Sequence, residues 1–469
     1  MITIGVDIGT TTISLVAYDV VKEAVETAVT IPNGCFLTGG PEWEKIQDAK
    51  AIVRKAKNAL DELLNQYPNV SAIGLTGQMH GILYVDQAGG AVSPLYTWQD
   101  GRGDLPEFGG ESVTEWIKKA CKVSASTGYG LVTHCYQLKK KLVPENAAGL
   151  CTIADYFGMA LTGRRQPILH ASMAASLGFY DIRKGGFQKK ALEAAGIDPI
   201  ILPEVTGGVA LLGYYREIPV LTALGDSQAS FLGAVGMEEN TVLVNMGTGG
   251  QVSVLSDHTN LPGPYFETVG TGSKIKPEIE PKIKPKTKLG FEARPFLSDG
   301  TYLFTGASLC GGRAYAILER FFREYAVAAG APDKPQYEKM EELAKAALGK
   351  GGMDVVTTFN GTRADPSAKG SVNGISEENF TPGALILGVL TGMARELYEL
   401  YDEICKSAGI RARRMVASGN GLRKNQILRQ IFQDLFQMKL ELSRCEEEAA
   451  CGAAVSGAMW VFGRKGGQK

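Results

Sequence analysis

The feature that most constrains this 469-residue chain is that it contains its own opening twice. Thr241-Val-Leu-Val-Asn245-Met-Gly247-Thr248-Gly249-Gly250 overlays Thr3-Ile-Gly-Val-Asp7-Ile-Gly9-Thr10-Thr11-Thr12 without a gap. Thr3, Val6, Gly9 and Thr10 meet Thr241, Val244, Gly247 and Thr248, and Asp7 meets Asn245. Each copy reads as a strand ending on a polar residue, a loop at glycine, and a second strand. A repeat of this kind predicts two like domains, each begun by the same unit. The chain is in any case too long for one ordinary core. The division is expected at 236/237, with a helical insertion in the first domain, 1–236, and the second running over 237–469.

A carboxylate leaving a buried strand into a loop rich in hydroxyls and amides suits a hydrated metal ion, and the loop suits phosphate. Only the first copy keeps the carboxylate. Two facing loops can share a polyphosphate, which a second carboxylate would repel. Taken alone, the opening stretch reads equally as a hairpin with a polar turn.

Composition narrows the function classes. A hydrophobic share of 44% and a charged share of 21% are those of a soluble globular protein. A net charge of −1 argues against broad electrostatic binding of nucleic acid. No uncharged apolar run is long enough for a membrane span, and the opening strand does not resemble a secretory leader. The eight cysteines are scattered without a CxxC pair and there are four histidines. Buried or reduced thiols are therefore expected, with no multi-histidine metal site, in a cytoplasmic protein. The 58 glycines predict many tight turns and close backbone approaches.

Along the chain, apolar residues at 3–4 spacing predict one helix from Trp43 to Tyr67. A short strand, Ala72 to Leu75, then delivers Thr76-Gly77-Gln78-Met79-His80-Gly81. A later strand ends in Tyr96-Thr97-Trp98-Gln99-Asp100-Gly101-Arg102. Residues 112–200 read as helical and loop-rich. Pro219 to Ala223 is a strand running into Leu224-Gly225-Asp226-Ser227-Gln228, where a lone Asp is ordinarily a helix cap. In the second half, Lys274 to Lys288 is a charged, Pro-spaced run read as an extended loop or ribbon. Thr381-Pro-Gly383 opens a long helix, and a strand from Arg414 to Ala417 ends in Ser418-Gly419-Asn420-Gly421-Leu422-Arg423-Lys424-Asn425. This is an α/β pattern, in which ligands gather beyond the carboxyl ends of strands. Without further context Met79 reads as core, His80 as a satisfied loop histidine, and His170 as structural.

With two Asp/Asn-x-Gly-Thr loops, a Gly77-Gln-Met-His-Gly81 turn and a Gly225-Asp226 strand end in this order, the chain resembles the FGGY carbohydrate kinases of the actin-like ATPase superfamily. Within them it is most similar to the sedoheptulose-phosphorylating branch, on three features: Thr97-Trp-Gln-Asp-Gly-Arg102; Thr127-Gly-Tyr-Gly130 with Thr152-Ile-Ala-Asp-Tyr156; and Ala223-Leu-Gly-Asp-Ser-Gln-Ala229. The resemblance implies two ribonuclease-H-like domains from an internal duplication with a cleft between them, sugar mostly on the first and ATP mostly on the second. It implies Asp226 as the general base, and Asp7 as the holder of Mg²⁺ through water. Thr10, Thr11 and Thr12 would meet phosphate, Gly247 and Thr248 would form the second phosphate loop, and Gly306, Gly421 and Asn425 would line the adenosine site. Gln78, Met79, His80, Trp98, Gln99 and Asp100 would lie by the sugar. The implied reaction is ATP-dependent phosphorylation of sedoheptulose to sedoheptulose 7-phosphate, with xylulose, ribulose or a polyol such as glycerol as alternatives, and a non-catalytic sugar sensor as the rival class. The partners are then a sugar and ATP, with no nucleic acid or membrane, in a chain expected as a homodimer. Two departures stand out. Cys310 occupies the place of an adenosine-contacting glutamine of glycerol kinases, and Asn420 interrupts the Gly-Gly common at the adenosine turn.

Overall fold

The structure is a computed structural model that describes residues 1–256, 290–349, 353–362, 365 and 367–466. The Lys274–Lys288 run and His258 lie outside the described residues. The chain packs as two units: Met1–Gly236 with Arg294–Tyr302 and Glu447–Lys469, and Met237–Ala293 with Leu303–Glu446.

The first unit is built on a six-stranded sheet of β1 (Ile2–Ile8), β2 (Thr12–Asp19), β3 (Ala24–Pro32), β4 (Val70–Gly77), β5 (Leu211–Tyr215) and β6 (Ile218–Gly225). Its order is β5-β6-β4-β1-β2-β3. The pairs β1–β2, β2–β3 and β5–β6 are antiparallel, while β4 runs parallel to β1 and β6. Strand β4 is longer than the predicted Ala72–Leu75, and six of its eight residues are buried, as a strand covered on both faces requires.

The second six-stranded sheet is made of β7 (Thr241–Met246), β8 (Gly250–Ser256), β9 (Phe291–Pro295), β10 (Tyr302–Ser308), β11 (Arg414–Ser418) and β12 (Leu440–Leu442). The order is β9-β10-β8-β7-β11-β12. Strand β7 pairs antiparallel with β8 and parallel with β11, which is parallel to β12. The repeat read from the sequence is therefore a repeat of topology. Asp7 sits between Ser14 and Thr76 in its sheet, and Asn245 between Gln251 and Ser418.

One predicted element is shorter than expected. The helix placed over Trp43–Tyr67 begins at Ala49, because the Asp48 carboxylate caps it by accepting from Ala51 N. The preceding Ile46–Gln47 instead pairs antiparallel with Leu95–Tyr96. The cysteine expectation also changes. Cys35, Cys121, Cys135, Cys151, Cys310 and Cys405 are free thiols, but Cys445 and Cys451 are disulfide-bonded.

The C-terminal helix, Glu448–Gly466, packs with the first unit. It comes so close to its neighbours that backbone meets backbone. A Cβ on Gly74 of β4 would lie 1.8 Å from Ala453 O, and one on Gly452 would lie 1.8 Å from Ala229 O in the Asp226–Val235 helix. Thr3 on β1 adds a buried hydrogen bond from Oγ1 to Ala454 O at 2.9 Å. Overpacking a filled core costs about 1–3 kcal/mol even where side chains can give way, and carbonyl oxygens cannot. Gly452→Ala is therefore expected to lower unfolding stability by at least that amount, read from urea midpoints at unchanged slope.

Beneath the sheet, Asp155 opens the helix Ile153–Thr162, whose N-cap is Thr152. Thr152 Oγ1 donates to Asp155 Oδ2 at 2.6 Å, while Oδ1 is buried without a partner. Burial pushes this carboxyl up to about 7, against the Thr152 bonds that lower it. Between the unfolded value near 4 and this folded value the native state holds the extra proton, so the group's contribution to stability falls as pH rises through that window. Asp155→Asn is expected to flatten the stability profile between about pH 4 and pH 7, measured by thermal unfolding across that range.

Candidate active site

Three parallel strands end in step. Ile8 and Gly225 are both register partners of Gly77, so Asp7, next to last in β1, and Gln78 and Asp226, the first residues past β4 and β6, lie at one edge of the first sheet. Asp226 is the first residue of its helix, and the N-cap is Gly225 with no side-chain cap bond. The capping role that a lone Asp suggests is thus not what Asp226 does. Burial raises its carboxyl, opposed first by the charge of Arg294 and then by the Ser227 N–H. Arg294 itself donates from Nη1 to Ser227 Oγ at 2.8 Å.

Asp7 has an inaccessible Oδ1 with no hydrogen-bond partner. Its carboxyl is pushed up to about 8 by burial, then by the negative charge of Asp226, then by that of Glu447. The Arg294 charge works against the burial at Asp226, whereas the charges of Asp226 and Glu447 add to it at Asp7. A partnerless buried carboxylate oxygen is also what a cation, or water on a cation, would satisfy. Among the described residues no group of three or more His, Cys, Asp or Glu could hold a metal ion. At the equivalent place in the repeat, Asn245 Nδ2 donates to Ser418 Oγ at 2.7 Å.

Of the three threonines in the first loop, Thr10 is already committed. Its hydroxyl donates to Gln78 Oε1 (3.2 Å) and accepts from Trp98 Nε1 (2.9 Å), and its carbonyl accepts from Gln47 Nε2 (2.8 Å). Asn33 holds the rest of the turn, donating from Nδ2 to Gly9 O and from its backbone to Thr11 O. The Thr10 hydroxyl is thus occupied within the protein, whereas Thr11 and Thr12 are exposed.

The residues expected beside the sugar divide in two. Asp100 is fully buried and takes a two-pronged salt bridge, with Arg102 Nε on Oδ1 at 2.5 Å and Nη2 on Oδ2 at 3.0 Å, plus the Lys45 amide. The Arg102 guanidinium lies over Tyr96 at 4.4 Å and over Trp43 at 5.6 Å. With its oxygens so occupied, Asp100 is a brace for this loop. Gln78 is 3% exposed, its oxygen on Thr10 and its amide on Gln47 Oε1 at 3.0 Å. Met79 is 4% exposed and wedged under Gly225 and Ser227, with a Cβ on Gly225 falling 2.8 Å from its sulfur. These three support the site without facing outward.

His80, Trp98 and Gln99 are the outward members. His80 has a left-handed backbone, φ 72°, and its Nδ1 bonds the Ser176 carbonyl at 2.7 Å. Since a carbonyl only accepts, that bond places a proton on Nδ1. The ring stacks on Tyr129, centroids 4.7 Å apart and 9° from parallel. Trp98 is 47% exposed and Gln99 is exposed beside it.

In the second unit, Gly247 and Thr248 are exposed at the β7–β8 turn. Their carbonyls accept from Gly312 N and Arg313 N, both at 3.0 Å, in the first turn of the helix Gly311–Ala328. Gly306 is buried in β10, and a Cβ there would lie 2.9 Å from Leu400 Cβ. It is a packing glycine, not a lining one. Gly421 packs on Met246, and Asn425 Oδ1 caps the helix Gln426–Phe436 by accepting from Leu428 N at 2.9 Å. Cys310 is buried, so it does not replace an exposed glutamine. The positive φ of this turn, 82°, is taken by Gly419, which leaves Asn420 unstrained.

Sequence reading missed Gln47, Asn33, Ser172 and Arg294. Tyr129 lay inside a quoted motif without a role. Arg294 carried no signal, because it reaches Ser227 across 67 positions of sequence.

Residues 2–233 match the FGGY family of carbohydrate kinases, N-terminal domain, and residues 243–461 match its C-terminal domain, so the chain belongs to that family. It is a sugar kinase, a phosphotransferase. It is 27% identical to sedoheptulokinase of Mus musculus over 97% of this chain and 96% of that protein. It is 25% identical to glycerol kinase of Aquifex aeolicus over 98% of this chain and 90% of that one. Among solved structures, xylulose kinase from Rhodospirillum rubrum superposes with a TM-score of 0.78 at 22% identity, covering 100% of this chain and 91% of its own. Among the described residues no helix is long and apolar enough to cross a membrane.

Removing Arg102 would leave Asp100 charged and buried with no ion partner. Arg102→Ala is expected to cost about 3–5 kcal/mol of stability, read from chemical unfolding.

Proposed function

We propose that the chain transfers the γ-phosphate of ATP to a primary hydroxyl of a ketose, with sedoheptulose the first candidate. The observation that carries the chemistry is the alignment of β1, β4 and β6, which brings one metal-suited carboxylate and one base to the same sheet edge. A primary alcohol is a weak nucleophile at neutral pH, and an ionised carboxylate within about 2.6–3.2 Å of it accepts its proton as the bond to phosphorus forms. Asp226 is suited to this, since it is not spent on a cap and Arg294 favours its charged form.

ATP bound with Mg²⁺ supplies the phosphoryl group, and the chain's part is to align it and neutralise charge. Asp7 would hold the cation through its orphaned oxygen, with Thr11 and Thr12 exposed in the same loop as groups for phosphate; Gly247 and Thr248 are the exposed residues of the second loop. On the sugar side the His80 imidazole is stacked on Tyr129. Trp98 offers an apolar ring face, tied through Thr10 to the phosphate loop. The choice of sedoheptulose rests on the three motifs and on the full-length similarity to the mouse enzyme. Pentulose and glycerol substrates differ from it by a few hydroxyl contacts, each unmatched one worth about 1–3 kcal/mol. A cytoplasmic site of action follows from the use of ATP.

Two measurements test this reading. ADP release over a panel of ketoheptoses, ketopentoses and polyols is expected to give the highest kcat/KM with sedoheptulose, and a pentulose or glycerol preference would overturn that choice. Asp226→Asn is expected to lower kcat by about 10²–10⁴-fold while ATP still binds, seen by calorimetry. Full transfer by that variant would remove Asp226 from the mechanism.

A further inference from the structure

Two buried polar side chains behind the β6 end take no part in the chemistry above. His170 and Ser172 are both fully buried. Ser172 Oγ accepts from the Gly225 N–H at 2.9 Å, so its own proton is directed at His170 Nδ1, 2.8 Å away. The Ser172 amide donates to the same Nδ1 at 3.1 Å. A ring nitrogen that accepts two such bonds carries no proton, which defines the neutral Nε2–H tautomer. Burial agrees with this, pulling the imidazole down to about 4, while the Leu297 backbone acts the other way. Nε2 itself has no partner at ordinary hydrogen-bond geometry.

Leu297 belongs to the Arg294–Tyr302 stretch, and that stretch also grips the residues after the base. Arg294 donates to Ser227 Oγ, and Pro295 O accepts from Gln228 Nε2 at 3.0 Å. Asp226 is thus bracketed on both sides. Ser172 holds the peptide before it, and residues 294–295 hold the two residues after it.

We propose that His170 and Ser172 are positioning residues for Asp226: the imidazole orients the Ser172 hydroxyl, and the hydroxyl sets the Gly225 peptide from which the carboxylate projects. This rests on Asp226 being the base. Its physical content is that the Gly225 amide, buried at a helix start, needs an acceptor, and the acceptor is aimed by a ring of fixed tautomer. Displacing a reacting group by about 1 Å can cost on the order of 10²-fold in rate.

The test compares the full-length protein with Ser172→Ala, His170→Ala and His170→Asn, with Asp226→Asn alongside, on the best sugar of the panel. Asparagine keeps an acceptor for the Ser172 N–H and hydroxyl. Ser172→Ala and His170→Ala are expected to lower kcat about 10–100-fold with KM for ATP unchanged. His170→Asn is expected to recover most of that loss. Deuterium exchange of the peptide covering Ile218–Gln228 is expected to quicken in both alanine variants, a readout that needs no substrate. If Ser172→Ala fails to fold, the His170 pair decides by the same criteria. Normal kcat and unchanged exchange in the alanine variants, beside an inactive Asp226→Asn, would overturn the positioning role alone. An alanine loss that asparagine does not recover would overturn the tautomer-directed part of it. Full activity in Asp226→Asn would instead overturn the base, and this proposal with it.

Discussion

The first unit depends on a backbone contact between the end of the chain and its beginning. The C-terminal helix lies against β1, β4 and the Asp226–Val235 helix with no side chain between them at Gly5, Gly74, Gly233 and Gly452. Such an approach removes the usual layer of apolar side chains and replaces it with close van der Waals contact that tolerates no added methyl. Both candidate catalytic carboxylates sit on elements gripped in this way, Asp7 on β1 and Asp226 at the head of the helix that Gly452 touches. The buried bond from Thr3 to Ala454 sets the register of the grip.

On that frame the polar groups are arranged by what they lack as much as by what they bind. Asp7 keeps an oxygen without a donor and Asp226 keeps its carboxylate out of the helix cap, whereas Asp100, Gln78 and Thr10 are fully subscribed to their neighbours. Buried polar groups are ordinarily satisfied, so an exception at the edge of a sheet is informative. The repeat supplies a built-in comparison: Asn245, in the place of Asp7, donates from Nδ2 to Ser418 Oγ. The two loops differ in charge at this one equivalent position, Asp7 against Asn245.

Much of this was legible in the residues. The overlay of the two openings foretold two sheets of like topology, and carboxylates at strand ends next to a glycine turn drew attention to Asp7, ahead of Gly9, and Asp226, after Gly225. Motif proximity misled where it stood in for geometry. Met79 and Asp100 lie in the right stretches yet face inward, because a loop that presents one residue to solvent must anchor its neighbours. Gly306 was read as a lining glycine and serves instead to admit Leu400. The helix start at Ala49 was missed because periodicity continued upstream while the Asp48 cap outweighed it.

What the sequence determined by itself is the kind of molecule: a duplicated α/β chain of the FGGY carbohydrate kinase family. That follows from local patterns, which adjacent residues express whatever lies across the fold. The tertiary structure alone decided which polar groups remain available to a ligand, since that depends on partners far along the chain. Gln47 reaches Thr10, Ser172 reaches Gly225, Arg294 reaches Ser227, and the last helix closes on the first strand. Each of these is a contact between residues that sequence order keeps far apart, and only packing brings them within hydrogen-bond distance.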